Sequence, residues 1–219
     1  MAAASLAERL AAIRAQLPAT TRLLAVSKGQ PGAAIRDAAA AGQRSFGENR
    51  LQEAVGKQEE LADLEGLSPP LDWHFIGRLQ ANKARAVLRR FGTIHSVDSL
   101  ALAERLARIA AEEHQHPQLF LQVKLRPDPS KGGFTPEELL QAWPRLQGLD
   151  SVRLGGLMTM APLGLEAPER LALFHDCAAL ARELALPELS MGMSGDWREA
   201  VAAGSTWVRL GSGLFGPRP

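Results

Sequence analysis

The sequence predicts a parallel (β/α)8 TIM barrel, and three observations carry that prediction. Eight short apolar segments alternate with segments of helical periodicity at a spacing of roughly 25 to 30 residues, as a repeated strand–helix unit requires. The chain has 219 residues, within the range of about 200 to 250 on which a single α/β barrel is usually built. An open doubly wound sheet is the competing architecture, but no Gly-x-Gly-x-x-Gly fingerprint follows the first predicted strand, and a count of eight suits closure. A hydrophobic content of 46% is enough for one sizeable core, so the expected organisation is one domain over residues 1–219.

The elements follow in order. Leu6, Leu10, Ile13 and Leu17 recur at helical spacing behind Ser5, with Glu8 completing a capping box, which gives a covering helix over about 5–17. Leu23-Leu24-Ala25-Val26 is an apolar run suited to a strand buried on both faces, and it ends at Ser27-Lys28 before the breakers Gly29 and Pro31. Pro31 is expected at the first position of a second helix, which Gly42 ends. Arg44 to Gly47 is the second strand, and Glu48-Asn49 lead into a helix reaching about Leu64. Leu71 to Gly77 is the third, followed by a helix from about Ala81 to Arg90. After the fourth strand, Thr93 to Val97, Asp98-Ser99 cap a helix bearing Leu102, Leu106 and Ile109. Leu119 to Leu125 is the fifth strand, and Thr135-Pro136-Glu137-Glu138 combines an N-cap, a proline at the first helical position and a capping-box glutamate. Val152 to Met158, Glu188 to Met191 and Thr206 to Leu210 complete the eight, with a helix striped by Leu171, Phe174, Cys177 and Ala181 after the sixth.

Charge and cysteine content narrow the function. Twenty-five Lys+Arg against 24 Asp+Glu give a net charge of +1, so no bulk field points to nucleic acid or an anionic membrane. No apolar run reaches the about 18 residues of a membrane span, and no signal-type segment opens the chain. The single cysteine, Cys177, has no internal partner and lies on an apolar stripe, which fits core packing in a cytoplasmic protein. Five histidines and one cysteine show no metal-ligand spacing beyond His114-x-His116, so no metal site is expected.

In a barrel the working face is the rim at the C-terminal strand ends. Lys28 stands there, at the mouth of a packed strand, where lost hydration disfavours the ammonium and leaves an amine able to attack a carbonyl. A snorkelling surface lysine is the plainer alternative. Ser194 sits where a helix would start, and Gly211-Ser212-Gly213 offers backbone N–H groups unobstructed by a Cβ, together a phosphate cradle of the kind barrels build after strands seven and eight. A plain turn and an N-cap are the alternative there. A phosphate site facing an amine across one rim suggests a phosphorylated aldehyde held as a Schiff base, and pyridoxal 5′-phosphate (PLP) is the common one. His74 is either a cofactor neighbour or a hydrogen-bonded structural histidine. Asn49, with Glu48, contacts the cofactor or caps a helix. Gln80, Asn82, Lys83 and Lys131 fit structural or solvated roles.

Six motifs, in order, carry a resemblance. Ala25-Val26-Ser27-Lys28 with Pro31, Phe46-Gly47-Glu48-Asn49, His74-Phe75-Ile76-Gly77 with Leu79-Gln80 and Asn82-Lys83, Gly156-Leu157-Met158-Thr159-Met160, Leu189-Ser190-Met191-Gly192-Met193-Ser194, and Val208-Arg209-Leu210-Gly211 with Phe215-Gly216 span almost the whole chain. In these the chain resembles the PLP homeostasis protein family, the single-domain relatives of alanine racemase. The resemblance implies a TIM barrel of the alanine racemase N-terminal domain type, PLP held as a Schiff base on Lys28, and a role in vitamin B6 and amino-acid homeostasis without catalytic turnover. It makes Arg209 the partner of the pyridine nitrogen, and Ser194, Gly211 and Ser212 the phosphate group. Asn49 and His74 complete the candidate cofactor contacts. Two places depart from the family's pattern: Arg50 stands where a tyrosine usually follows Gly-Glu-Asn, and Lys124, Asp128 and Lys131 replace its fifth-strand pattern of Asn, Glu and Lys.

The expected partners are therefore PLP and the PLP-dependent apo-enzymes that receive it, with no nucleic acid and no membrane, and the expected state is a cytoplasmic monomer. A PLP-dependent amino-acid racemase is the alternative within the same chemistry. It needs a proton donor on each face of a planar intermediate, and the tyrosine that alanine racemase supplies from a second domain has no counterpart in a chain with no tyrosine. A phosphosugar isomerase on an ordinary barrel is the third possibility and would use the phosphate site without the amine.

Overall fold

The computed structural model describes residues 4–128 and 130–216. Eight strands, β1 (Arg22–Val26), β2 (Ser45–Glu48), β3 (Asp72–Phe75), β4 (Thr93–Val97), β5 (Gln118–Gln122), β6 (Arg153–Met158), β7 (Glu188–Ser190) and β8 (Trp207–Leu210), close in sequence order into a parallel barrel. Closure is made by β8 returning to β1, with Arg22 opposite Trp207 and Ala25 opposite Leu210. The helices are α1 (Leu6–Arg14), α2 (Gly32–Ala40), α3 (Leu51–Glu60), α4 (Ala84–Leu88), α5 (Leu100–Glu112), α6 (Pro136–Gln147), α7 (Ala167–Glu183), α8 (Trp197–Ala202) and α9 (Ser212–Phe215). This is the expected (β/α)8 barrel.

Both predicted capping boxes form. Ser5 Oγ accepts the Glu8 N–H at 3.2 Å while Glu8 accepts the Ser5 N–H at 2.7 Å, and Thr135 with Glu138 repeats the exchange at 3.2 and 2.8 Å. Each such cap contributes about 1 kcal/mol. Elsewhere tertiary partners move the boundaries. Pro31 lies just outside α2, extended, with its carbonyl accepting the Ala34 N–H. α3 starts at Leu51 and not at Glu48-Asn49, because Glu48 is paired in β2 opposite Phe75. β3 stops at Phe75, short of Gly77. β5 ends at Gln122 rather than Leu125: Val123 bridges Phe134, whose carbonyl takes the Lys124 N–H. β7 ends at Ser190, one residue before Met191. The segment expected as one helix from Ala81 to Arg90 divides into a 3-10 turn, Ala81–Lys83, and α4. No helix among the described residues is long and apolar enough to cross a membrane.

Alternation along the strands sorts the apolar residues into layers. Leu23 and Ala25 face outward with Phe46, Val208 and Leu210 against Leu10 and Ile35, whereas Leu24 packs inside with Phe120, Met158 and Trp207. That inner cluster joins β1 and β8 to β5 and β6, strands on opposite sides of the barrel. Between the other strands and α5, α6 and α7 lies the largest cluster, which includes Ile94, Leu121, Leu157, Leu106, Leu139 and Phe174. Cys177 is fully buried in it, and burial pushes its thiol up to about 12, so it acts as a small apolar side chain.

Candidate functional site

Lys28 lies two residues beyond the end of β1 and is half-buried. Because β1 pairs with β8, the residues beyond both strand ends meet, and a cavity of about 330 Å³ is lined by Val26, Lys28, Gln30, Gly211, Ser212 and Gly216. Ser212 and Gly213 open α9, so their N–H groups have no acceptor within that helix. Ser194 joins this edge from the loop after β7, its Oγ 3.5 Å from Ser212 Oγ. A Cβ on Gly211 would stand 3.3 Å from the Val26 carbonyl, and one on Gly213 would stand 3.7 Å from Ser194 Oγ. Gly211 is thus packed tightly on the Val26 carbonyl, Gly213 has ordinary clearance, and the edge carries two hydroxyls and backbone N–H groups.

Arg209 lies two residues before Gly211 on the inward face of β8 and is buried. Its Nη1 donates to the Ser190 carbonyl at 2.5 Å and to Ser190 Oγ at 2.7 Å, and Nη2 donates to the Thr159 carbonyl at 2.9 Å. Burial pushes the guanidinium down to about 10, which still leaves it charged at neutral pH. Three of its five N–H donors are taken; Nε–H and one Nη2–H have no acceptor among the described residues. Asp196 is the neighbouring carboxyl. Burial raises it above the usual range, against the Met193 N–H it accepts at 2.6 Å and the attraction of Arg209.

Behind β1 a second polar cluster grips both neighbours of Lys28. Lys57 Nζ, on α3, donates to Glu48 Oε1 at 2.7 Å, Glu53 Oε1 at 2.6 Å and the Ser27 carbonyl at 2.7 Å. Ser27 Oγ donates to Glu48 Oε1 at 2.6 Å, and the Gly29 N–H to Glu53 Oε1 at 2.5 Å. Glu48 is fully buried and Lys57 nearly so. Burial lifts the Glu48 carboxyl above its usual range despite the bonds from Lys57 and Ser27. Sequence reasoning took Glu48 for a cofactor contact or a helix cap and missed this cluster. The available signal was a lysine on the buried stripe of Ala54 and Lys57 on α3, continued by Leu61 just past its end.

Of the candidate residues, Lys28, Gly211 and Ser212 share one cavity, Ser194 reaches its edge, and Arg209 lies below Gly211 in the barrel. Asn49 and His74 do not line it. Asn49 follows β2, and its backbone packs against Gly77 so closely that a Cβ there would fall 2.1 Å from the Asn49 carbonyl oxygen. His74 is inside the barrel, between Asp72 and His95. Ser190 and Thr159, which hold Arg209, stood in the sequence reading only inside motifs and without a role, and His95 was passed over, although a histidine at the centre of the wholly buried strand Thr93-Ile94-His95-Ser96-Val97 was the visible sign. Lys131 and Arg50 are exposed. No group of His, Cys, Asp and Glu among the described residues could hold a metal ion.

Residues 2–219 match the model of the alanine racemase N-terminal domain, and the chain belongs to that family of barrels. Within it, the chain is a member of the pyridoxal phosphate homeostasis proteins. It is 50% identical to the Synechocystis sp. protein of that name, covering 94% of this chain and 95% of the relative, and 46% identical to the Pseudomonas aeruginosa one, covering 92% and 86%. Among solved structures it is similar to PipY of Synechococcus elongatus with PLP bound, at 55% identity and a TM-score of 0.92 over 97% of this chain and 100% of that one. Alanine racemase of Clostridium difficile shares the fold, with a TM-score of 0.77 at 17% identity over 98% of this chain and 57% of that one.

The grip on the Lys28 loop is testable without any ligand. Lys57→Met leaves Glu48 buried without its cation, and losing one partner of a buried ion pair costs about 3 to 5 kcal/mol. Glu48, already raised, then binds a proton in the folded state at a pH where the unfolded chain has lost it, so stability falls as pH rises. Urea melts are expected to show a larger loss in mildly alkaline than in mildly acidic buffer. A loss independent of pH would show that Glu48 is not carried as a charge.

Proposed function

We propose that this protein is a PLP carrier or reservoir: one barrel domain over residues 1–219, acting as a cytoplasmic monomer that holds the cofactor reversibly and releases it to PLP-dependent apo-enzymes. The observation that carries this is the one cavity that Lys28, Gly211 and Ser212 line together, with Ser194 at its edge and Arg209 below. The residues fit the group, since two hydroxyls and the N–H groups that open α9 meet at one edge, and two Arg209 donors are left for a ring nitrogen. PLP supplies an aldehyde that condenses with amines and a ring that withdraws electrons.

The chain's own groups divide the work. Lys28 would supply the amine with which the PLP aldehyde condenses reversibly, releasing water. Ser194, Ser212 and the N–H groups of Ser212 and Gly213 bind the phosphate oxygens. Arg209 donates to the pyridine nitrogen. Lys57, Glu48 and Glu53 hold Ser27 and Gly29, and so aim Lys28. Asn49, beyond the end of β2, and His74, inside the barrel, stand outside the cavity lining.

Absence of turnover is part of the proposal. A charged guanidinium can only donate, which keeps the ring nitrogen unprotonated and the ring a poorer electron sink. The chain has no tyrosine to act as a second acid. His74, the other rim candidate, has both ring nitrogens engaged inside the barrel, at 2.8 Å from His95 and 2.6 Å from Asp72.

Borohydride reduction of the PLP-loaded protein is expected to fix the cofactor on Lys28, read by peptide mass spectrometry. Adduct on another lysine with Lys28 unmodified would overturn the assignment. Incubation with L-alanine in D2O is expected to give no D-alanine and at most slow Cα exchange with retained configuration. Catalytic formation of the D-isomer, lost in Lys28→Ala, would make the protein a racemase.

A further inference from the structure

A line of polar groups crosses the barrel interior below Arg209. Asp72 begins β3 at the opposite mouth, with its side chain 47% exposed. Its Oδ2 lies 2.6 Å from His74 Nε2, His74 Nδ1 lies 2.8 Å from His95 Nε2, and His95 Nδ1 lies 2.7 Å from Ser190 Oγ. Ser190 Oγ is the atom that accepts from Arg209 Nη1 at 2.7 Å. His74, His95, Ser190 and Arg209 are all buried, and the His95 ring stacks on Phe120 at 4.4 Å between centroids.

Hydrogen-bond inventory fixes the direction of every link. Arginine only donates, so Ser190 Oγ accepts from Arg209 and its own hydrogen is directed at His95 Nδ1, since the hydroxyl has no other acceptor among the described residues. His95 then carries its proton on Nε2 and donates to His74 Nδ1. His74 in turn carries its proton on Nε2 and donates to the Asp72 carboxylate. Both rings are neutral in the same tautomer and each donor meets an acceptor. Reversing one link would set two donors against the Ser190 oxygen and strand its hydroxyl hydrogen in the core. Burial, with the charges of Arg209 and Arg22, holds His95 far below its usual range and so neutral.

We propose that Ser190 and His95 are positioning residues for Arg209, and that the chain Asp72–His74–His95–Ser190 orients the guanidinium so that its two uncommitted N–H groups serve the ring nitrogen of the bound cofactor. The proposal rests on the reading of the cavity as a PLP site. It also explains a buried His74 that does not line the cavity: the residue acts on the ring through three intervening groups, and the carboxylate that ends the chain touches solvent.

The test compares two ligands that share the pyridine ring and differ in the phosphate. In the full-length protein Ser190→Ala is expected to weaken binding of both PLP and pyridoxal by about tenfold and to shift the absorption maximum of the bound form, with Ser190→Thr restoring both. Ser194→Ala and Ser212→Ala are expected to weaken PLP alone. A second readout needs no ligand and no variant. ¹⁵N-histidine spectra of the wild-type protein should give both His74 and His95 a protonated Nε2 and an unprotonated Nδ1. The proposal is overturned if either ring carries its proton on Nδ1, or if Ser190→Ala folds and leaves both affinities and the spectrum unchanged. Failure of the wild-type protein to bind PLP would instead overturn the cofactor reading and leave the tautomer measurement standing on its own.

Discussion

The rest of the site depends on a charged guanidinium buried inside a barrel. An isolated cation there would lose several kcal/mol of hydration. Arg209 is tolerated because the carbonyls of Ser190 and Thr159, at the ends of β7 and β6, both turn inward to accept from it. The barrel interior is built to match. Leu24, Phe120, Met158 and Trp207 form an apolar layer, and beneath it Glu188 accepts from Arg22, from Gln118 at 3.0 Å and from Trp207 Nε1 at 2.7 Å. A polar mouth, an apolar waist and one arginine below the opposite rim give the interior a direction. What remains unsatisfied on that arginine points to the function.

Lys28 depends on the same economy of buried charge, arranged on the outer side of β1. Ser27 faces outward to Glu48 and Lys57, which alternation along the strand requires if Lys28 is to face the cavity. The lysine proposed to hold the cofactor is therefore flanked by residues that another lysine, Lys57, anchors. Lys57 spends its charge on two carboxylates and the Ser27 carbonyl, and Gly29 is tied to Glu53 on the other side. A loop so anchored is held in place without any ligand, which is the preorganisation that lowers the cost of binding.

Features fixed by short-range chemistry were legible in the sequence. The capping boxes at Ser5 and Thr135 involve residues three apart, and both form. Lys28 and Gly211-Ser212 were legible as one site because a closed barrel must set its first strand beside its last. Features decided by distant partners were not. Glu48 is a strand residue because Lys57 answers its charge, and β5 ends early because Phe134 takes its place in the bonding. The contact of His95 with Ser190 spans 95 positions, and no periodicity or motif announces it. His74 was visible as an inward histidine, but its partner decides that it belongs to the interior and not to the rim.

Fold and family leave open what a PLP barrel does, since alanine racemase uses the same scaffold. The proposed distinction rests on the missing second acid, the chain having no tyrosine, while the electronics of the ring follow from Arg209, whose guanidinium can only donate. Nitrogen-15 resonance of protein loaded with PLP labelled at the pyridine nitrogen reads that property at the atom concerned. An unprotonated nitrogen accepting a hydrogen bond, becoming free of it in Arg209→Met, is the predicted result. A protonated pyridinium in the wild-type protein would contradict the account.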